Sequence, residues 1–164
     1  MKSIVIASAA ALLFSAPAMA AGNSDTQQGS ATATVVAPIT LQHTSGAAIG
    51  FGKFTTGTGG SVTVTPAGSG SVSGDVTFVS GNANTADAFT VAGEANRTFA
   101  ISTTGGTVSN GAVSMSFATT ASSATGTLNN AGAASFTVGG TLTVPGTATA
   151  GNYSGSYNAT VTYN

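Results

Sequence analysis

Along the last stretch of the sequence, apolar and polar residues alternate one by one. Tyr153, Gly155, Tyr157, Ala159, Val161 and Tyr163 share the odd positions. The even ones are Asn152, Ser154, Ser156, Asn158, Thr160, Thr162 and Asn164. A period of two puts one set on each face of a β-strand, whereas a helix would need apolar residues three and four apart. The same period recurs upstream. Ala31, Ala33, Val35, Ala37, Ile39 and Leu41 form one face; Val62 and Val64 form another, and Val72, Gly74, Val76 and Phe78 a third. Phe89 and Val91, Phe99 and Ile101, and Val113, Met115 and Phe117 follow, then the long run Phe136, Val138, Gly140, Leu142 and Val144. Short alternating runs at near-regular spacing predict an all-β antiparallel sandwich or barrel.

The punctuation agrees. Gly57-Thr58-Gly59-Gly60, Thr104-Gly105-Gly106 and Asn110-Gly111 supply residues that tolerate the backbone of tight hairpins. Pro145-Gly146 ends one strand before the last begins. The first residues read differently. Lys2 precedes an apolar run from Ile4 to Phe14, then Pro17 and the small-residue site Ala18-Met19-Ala20. This is the pattern of a secretory signal cleaved between Ala20 and Ala21, too short to span a bilayer. The expected organisation is a signal peptide over 1–20, a flexible extension over 21–30 and a β-sandwich domain over 31–164. Export through the Sec pathway would bring the chain to the periplasm, the cell surface or the medium.

Composition removes whole classes of function. Only 4% of the residues are charged, with three Lys and Arg against four Asp and Glu. No basic patch exists to neutralise phosphates, so nucleic acid is not an expected partner. No later segment is expected to span a membrane. With no Cys, the fold must hold by packing and strand pairing rather than by disulfides. A surface so poor in charge also resists self-association weakly.

Catalysis needs titratable groups placed together. His43, the single His, falls at the end of a predicted strand and reads as an exposed loop residue. Asp75, Asp87 and Glu94 are scattered. Asn82, Asn84 and Asp87 offer oxygens in Gly81-Asn82-Ala83-Asn84-Thr85-Ala86-Asp87, but a solvated hairpin loop accounts for them as well as a calcium site does. The Gly52-Lys53 pair lacks the Ser or Thr and the upstream Gly of a phosphate-binding loop. No catalytic, metal-binding or cofactor-binding residue is assigned, no cofactor is expected, and the chain is not read as an enzyme.

Three stretches carry a resemblance: SATATVVAPITLQHTSGAAIGFGKF from Ser30 to Phe54, FTVGGTLTVPGTATAGNYSG from Phe136 to Gly155, and YNATVTYN at the end. In this order they resemble a domain-of-unknown-function family of secreted proteobacterial β-sandwich proteins. That family is similar in turn to the spore coat protein U type, the archaic chaperone–usher pilins. The resemblance implies an immunoglobulin-like sandwich with an incomplete strand set. It also implies a β-zipper in the last strand, carried here by Gly151, Tyr153, Tyr157, Val161 and Tyr163. A donor strand would follow the extension, with Ala31, Ala33 and Val35 facing inward. The implied partners are further copies of the chain, in a homopolymer, and a periplasmic chaperone and usher. The chain departs from archaic pilins in having Ile39 near the place of a strand-A Cys.

The expected function is therefore a non-catalytic structural subunit of a surface fibre, assembled by donor-strand complementation. The alternative is a self-complete surface or matrix domain with a glycan-binding role. The three Tyr residues all fall on the apolar face of the last strand, which suits a core better than a sugar platform.

Overall fold

The computed structural model describes residues 22–164; the predicted signal segment and its cleavage site at Ala20 and Ala21 lie outside them. Thirteen strands follow one another: β1 Thr40–His43, β2 Phe54–Thr55, β3 Gly59–Val64, β4 Gly70–Gly74, β5 Thr77–Phe78, β6 Asp87–Ala92, β7 Thr98–Thr103, β8 Gly106–Ser109, β9 Ser114–Ala121, β10 Thr125–Thr127, β11 Ala133–Pro145, β12 Ser154–Ser156 and β13 Ala159–Tyr163. Among the described residues there is no helix, and every pairing is antiparallel. The fold is an all-β antiparallel sandwich.

The largest sheet runs β1-β6-β11-β9-β8-β12, with β3 on β11 and β4 outside β3. The second runs β10-β7-β13, and β2 pairs with β5. β11 is the spine. Phe136, Val138, Gly140, Leu142 and Val144 all point inward and are buried, and each large apolar side chain so buried contributes about 1.5–3 kcal/mol. One flank of β11 pairs first with β6 and then with β3. Gly139 lies where the two diverge. A Cβ there would strike the backbone at Thr65 and Pro66, so the close crossing requires glycine.

Several sequence expectations change. Gly57-Thr58-Gly59-Gly60 joins β2 to β3, which pair with β5 and with β4 and β11, not with each other. Thr104-Gly105-Gly106 is not a hairpin but a step between β7 and β8, along which the chain passes from the small sheet to the large one. β12 and β13 follow that step antiparallel, with their own break at Tyr157-Asn158. Thr104 N–H donates to the Asn158 carbonyl at 2.9 Å, and Asn158 N–H donates to Thr104 Oγ1 at 3.0 Å. The alternation of the last strand survives the break because both of its parts pair in phase with the same ribbon. Val72 and Gly74 do not share a buried face with Val76. β4 is an exposed outer strand with all five residues in solvent, because nothing covers it beyond β3, and only Val76 is buried.

The alternation over Ala31–Leu41 becomes strand only at Thr40. The pairing with β6 begins at the Thr40–Ala92 rung, where β6 ends, so earlier residues have no partner strand. Gly22–Thr34 has no regular structure and is exposed throughout. Residues 35–164 form one compact unit.

The core has two clusters. The lower one holds Phe89, Val91, Phe99, Ile101, Leu128, Phe136 and Val138. The upper one holds Phe51, Val62, Val64, Val76, Met115, Phe117, Leu142 and Val144. Ile49 and Tyr157 pack against both.

Candidate functional site

β1 pairs only with β6, β13 only with β7, and β12 only with β8. These free edges border one seam between the two sheets. Over the lower cluster the seam is shut. β1 and β13 lie against each other, and Ile39, Leu41, Val161 and Tyr163 fill the space between. Tyr163 completes the closure by donating its hydroxyl to the Ala37 carbonyl at 3.0 Å while accepting the Glu94 N–H at 2.7 Å. Ala37 N–H donates to Glu94 Oε2 at 3.0 Å, and the Arg97 guanidinium stands 5.4 Å from the centre of the Tyr163 ring. Ala37 is thus anchored through both of its backbone groups.

Over the upper cluster the seam is open. A groove of about 1080 Å³ runs between residues 47–56 on one side and residues 148–159 on the other. Phe89, Met115, Phe117 and Leu142 line it, with Ile49, Phe51 and Phe54 on one wall and Ala148, Tyr153 and Tyr157 on the other. A cleft floored by apolar side chains and edged on one side by the free edge of β12 can take an extended peptide by strand addition.

The first wall is held by side chains read above as a solvated loop. Gly50 exchanges backbone hydrogen bonds with Thr85, at 2.9 and 3.2 Å. Asn82 Oδ1 accepts the Lys53 N–H at 2.8 Å, and Asn82 Nδ2 donates to Asn84 Oδ1 at 2.6 Å. Asn84 Nδ2 in turn donates to the Phe51 carbonyl at 2.8 Å. These amides are tied to the backbone rather than solvated, because they satisfy a segment that has no sheet neighbour on its groove side. Gly52 has φ of 80°, and a Cβ there would collide with the Asn82 side chain, so the Ile49-Gly50-Phe51-Gly52-Lys53-Phe54 motif needs glycine at that place.

The lower end of the groove carries a polar cluster. Asp87, on β6, is buried, only 4% exposed. Its Oδ1 lies 2.6 Å from His43 Nε2 at the end of β1 and accepts the Ala88 N–H at 2.8 Å. Its Oδ2 accepts the Tyr157 hydroxyl at 2.8 Å. Burial, then the Asp87 hydrogen bond and negative charge, push the Tyr157 phenol well above its ordinary range. The His43 ring packs at 5.1 Å on Phe89, and the Tyr157 ring meets Phe89 and Phe117 edge-on at 6.3 and 6.2 Å. His43 is exposed and ends its strand, as expected, but it is also bonded at the groove end because Asp87 lies beneath it.

Of the residues the sequence singled out, the fold brings Gly151, Tyr153 and Tyr157 to the groove. Val161 and Tyr163 lie in the closed part below it. Ala31, Ala33 and Val35 are exposed, Val35 at 95%. Sequence reasoning missed the His43–Asp87–Tyr157 cluster, whose members are 44 and 70 residues apart. The signal was nonetheless present. Asp87 continues the inward face of Phe89 and Val91, and a carboxylate at a core position implies buried partners.

Residues 39–163 match the family model described as Domain of unknown function (DUF4402). That span covers most of the sequence, and the chain belongs to this family. No curated protein and no solved structure matches it.

Proposed function

We propose that this DUF4402 domain is a non-catalytic structural subunit whose open groove receives an extended strand from a second copy, so that copies add head to tail into a surface fibre. The observation that carries this reading is the apolar groove bounded by free strand edges, in a chain that also has an unstructured, exposed arm. Reach keeps Val35 out of its own groove, so a strand that places this valine there comes from a second copy. Val35 is two residues from the Ala37 anchor, a distance of about 7 Å at full extension. β1 alone climbs about 10 Å before the groove begins, so Val35 falls short of its own groove. Arm and groove are different surfaces, which makes the contact heterologous, and such contacts extend into filaments unless a rotation closes them. Backbone pairing along β12 would supply most of the affinity. Ala31, Ala33 and Val35 are small, and only the valine carries the 1.5–3 kcal/mol or so of a large buried side chain. A periplasmic chaperone and usher are the proposed assembly partners, holding the groove until a second copy arrives.

The test is a peptide of sequence GSATATVVAP, Gly29 to Pro38, added to the monomeric full chain. A ligand that binds only the folded state raises its melting temperature with concentration. A small rise is expected, and none for a peptide with Val35 and Val36 replaced by Asp. A stable monomer indifferent to the peptide would instead identify a self-complete surface domain.

A further inference from the structure

The groove does not run the length of the seam. Its lining stops at His43 on one side and Ala159 on the other, although β1 begins at Thr40 and β13 continues to Tyr163. The place where it stops is the level of Asp87. We propose that Asp87, holding His43 from one edge and Tyr157 from the other, is the latch that closes the seam and sets how far a strand can run into the groove. The strand-length consequence rests on the strand-acceptor reading above; the latch does not.

Three observations converge. The donors come from both sides of the seam, His43 from β1 and Tyr157 from the step between β12 and β13, so a single carboxylate spans a gap that no backbone ladder crosses. Asp87 is buried, where its hydrogen bonds are stronger than in water and their loss is costly. Tyr157 also packs against both core clusters, so its position fixes where the open part ends. Apolar side chains alone would close the seam without setting a sharp limit. A directional hydrogen bond between three fixed elements defines one place. The stretch left open faces residues 47–56, room for at most about ten extended residues or roughly 33 Å. Asp87, His43 and Tyr157 are positioning residues here.

The test is hydrogen exchange on the full chain carrying Tyr157→Phe, which keeps the ring packing and removes only the donor, or Asp87→Asn. Both variants should speed exchange in β1 and β13 by about tenfold or more, the loss expected for one hydrogen bond to a charged group, and leave β11 unchanged. His43→Gln, which retains a donor, should stay near wild type. In Asp87→Asn the most resistant of the three tyrosines in an alkaline absorbance titration should ionise at lower pH. With the GSATATVVAP peptide, protection should stop at Tyr157 in the wild type and extend into β13 in Tyr157→Phe. Wild-type exchange in β1 and β13 of both variants would overturn the latch. Faster exchange there with no peptide protection in any form would support the latch and reject the strand-acceptor reading.

Discussion

The lower and upper halves of the core are equally apolar at their centres and differ at one wall. Below, Val91, Phe99, Leu128 and Val138 are at most 1% exposed, and β1 seals the side by lying on β13. Above, Val62, Val64 and Leu142 are as deeply buried, yet the corresponding side is an open groove. Residue type is therefore not what separates closed from open. The difference is in pairing: residues 44–53 touch their neighbours at isolated points, Thr44 to Ala88, Gly50 to Thr85 and Lys53 to Val79, and leave the edge of β12 unpaired. Packing can be complete in the floor of a sandwich while one wall stays open.

Mutations should separate the halves. Phe99→Ala, in the sealed half, is expected to cost about 3–5 kcal/mol in denaturant unfolding. Phe54→Ala, on the half-buried groove wall, should cost roughly 1–2 kcal/mol and abolish the stabilisation by GSATATVVAP. Equal costs would erase the distinction.

Between these two in size is Val161→Asp, which places an unpaired charge between β1 and β13 and should cost roughly 2–4 kcal/mol. Tyr157 sharpens the comparison through pH. Its proton is held more tightly folded than unfolded, so stability should be independent of this group below its ordinary value of 10.0 and fall as pH rises beyond it. Tyr157→Phe should flatten that alkaline decline in unfolding curves taken from neutral to alkaline pH. Smallest of all, Thr160→Asp on the exposed face of β13 should change stability by about 0.5 kcal/mol or less. A cost matching that of Val161→Asp would mean that β13 has no buried face.

Much of this was legible. The inward face of β11 can be read straight from Phe136 to Val144, and the odd-numbered side chains of the last strand do turn inward. The Thr104-Gly105-Gly106 step misled because glycines mark hairpins and strand bends alike. The arm misled because Ala31 to Leu41 alternates evenly, yet strand formation depends on a neighbour, and β6 supplies one only from Thr40 onward. The polar latch could be suspected from Asp87 on a core face, but its partners lie at distant places in the chain. The groove was the least legible feature, since it lies between residues far apart in sequence.

The most direct test of the central claim uses the absence of Cys in the chain. One population carries Ala33→Cys in the arm and a second carries Ala48→Cys on the exposed groove wall. The account predicts that mixing them under mild oxidation gives disulfide-linked pairs joining the two populations, and that an arm paired with Ser71→Cys on β4 gives far fewer. Equal yields at Ala48 and Ser71, or cross-links that form only when both cysteines sit in one chain, would contradict it.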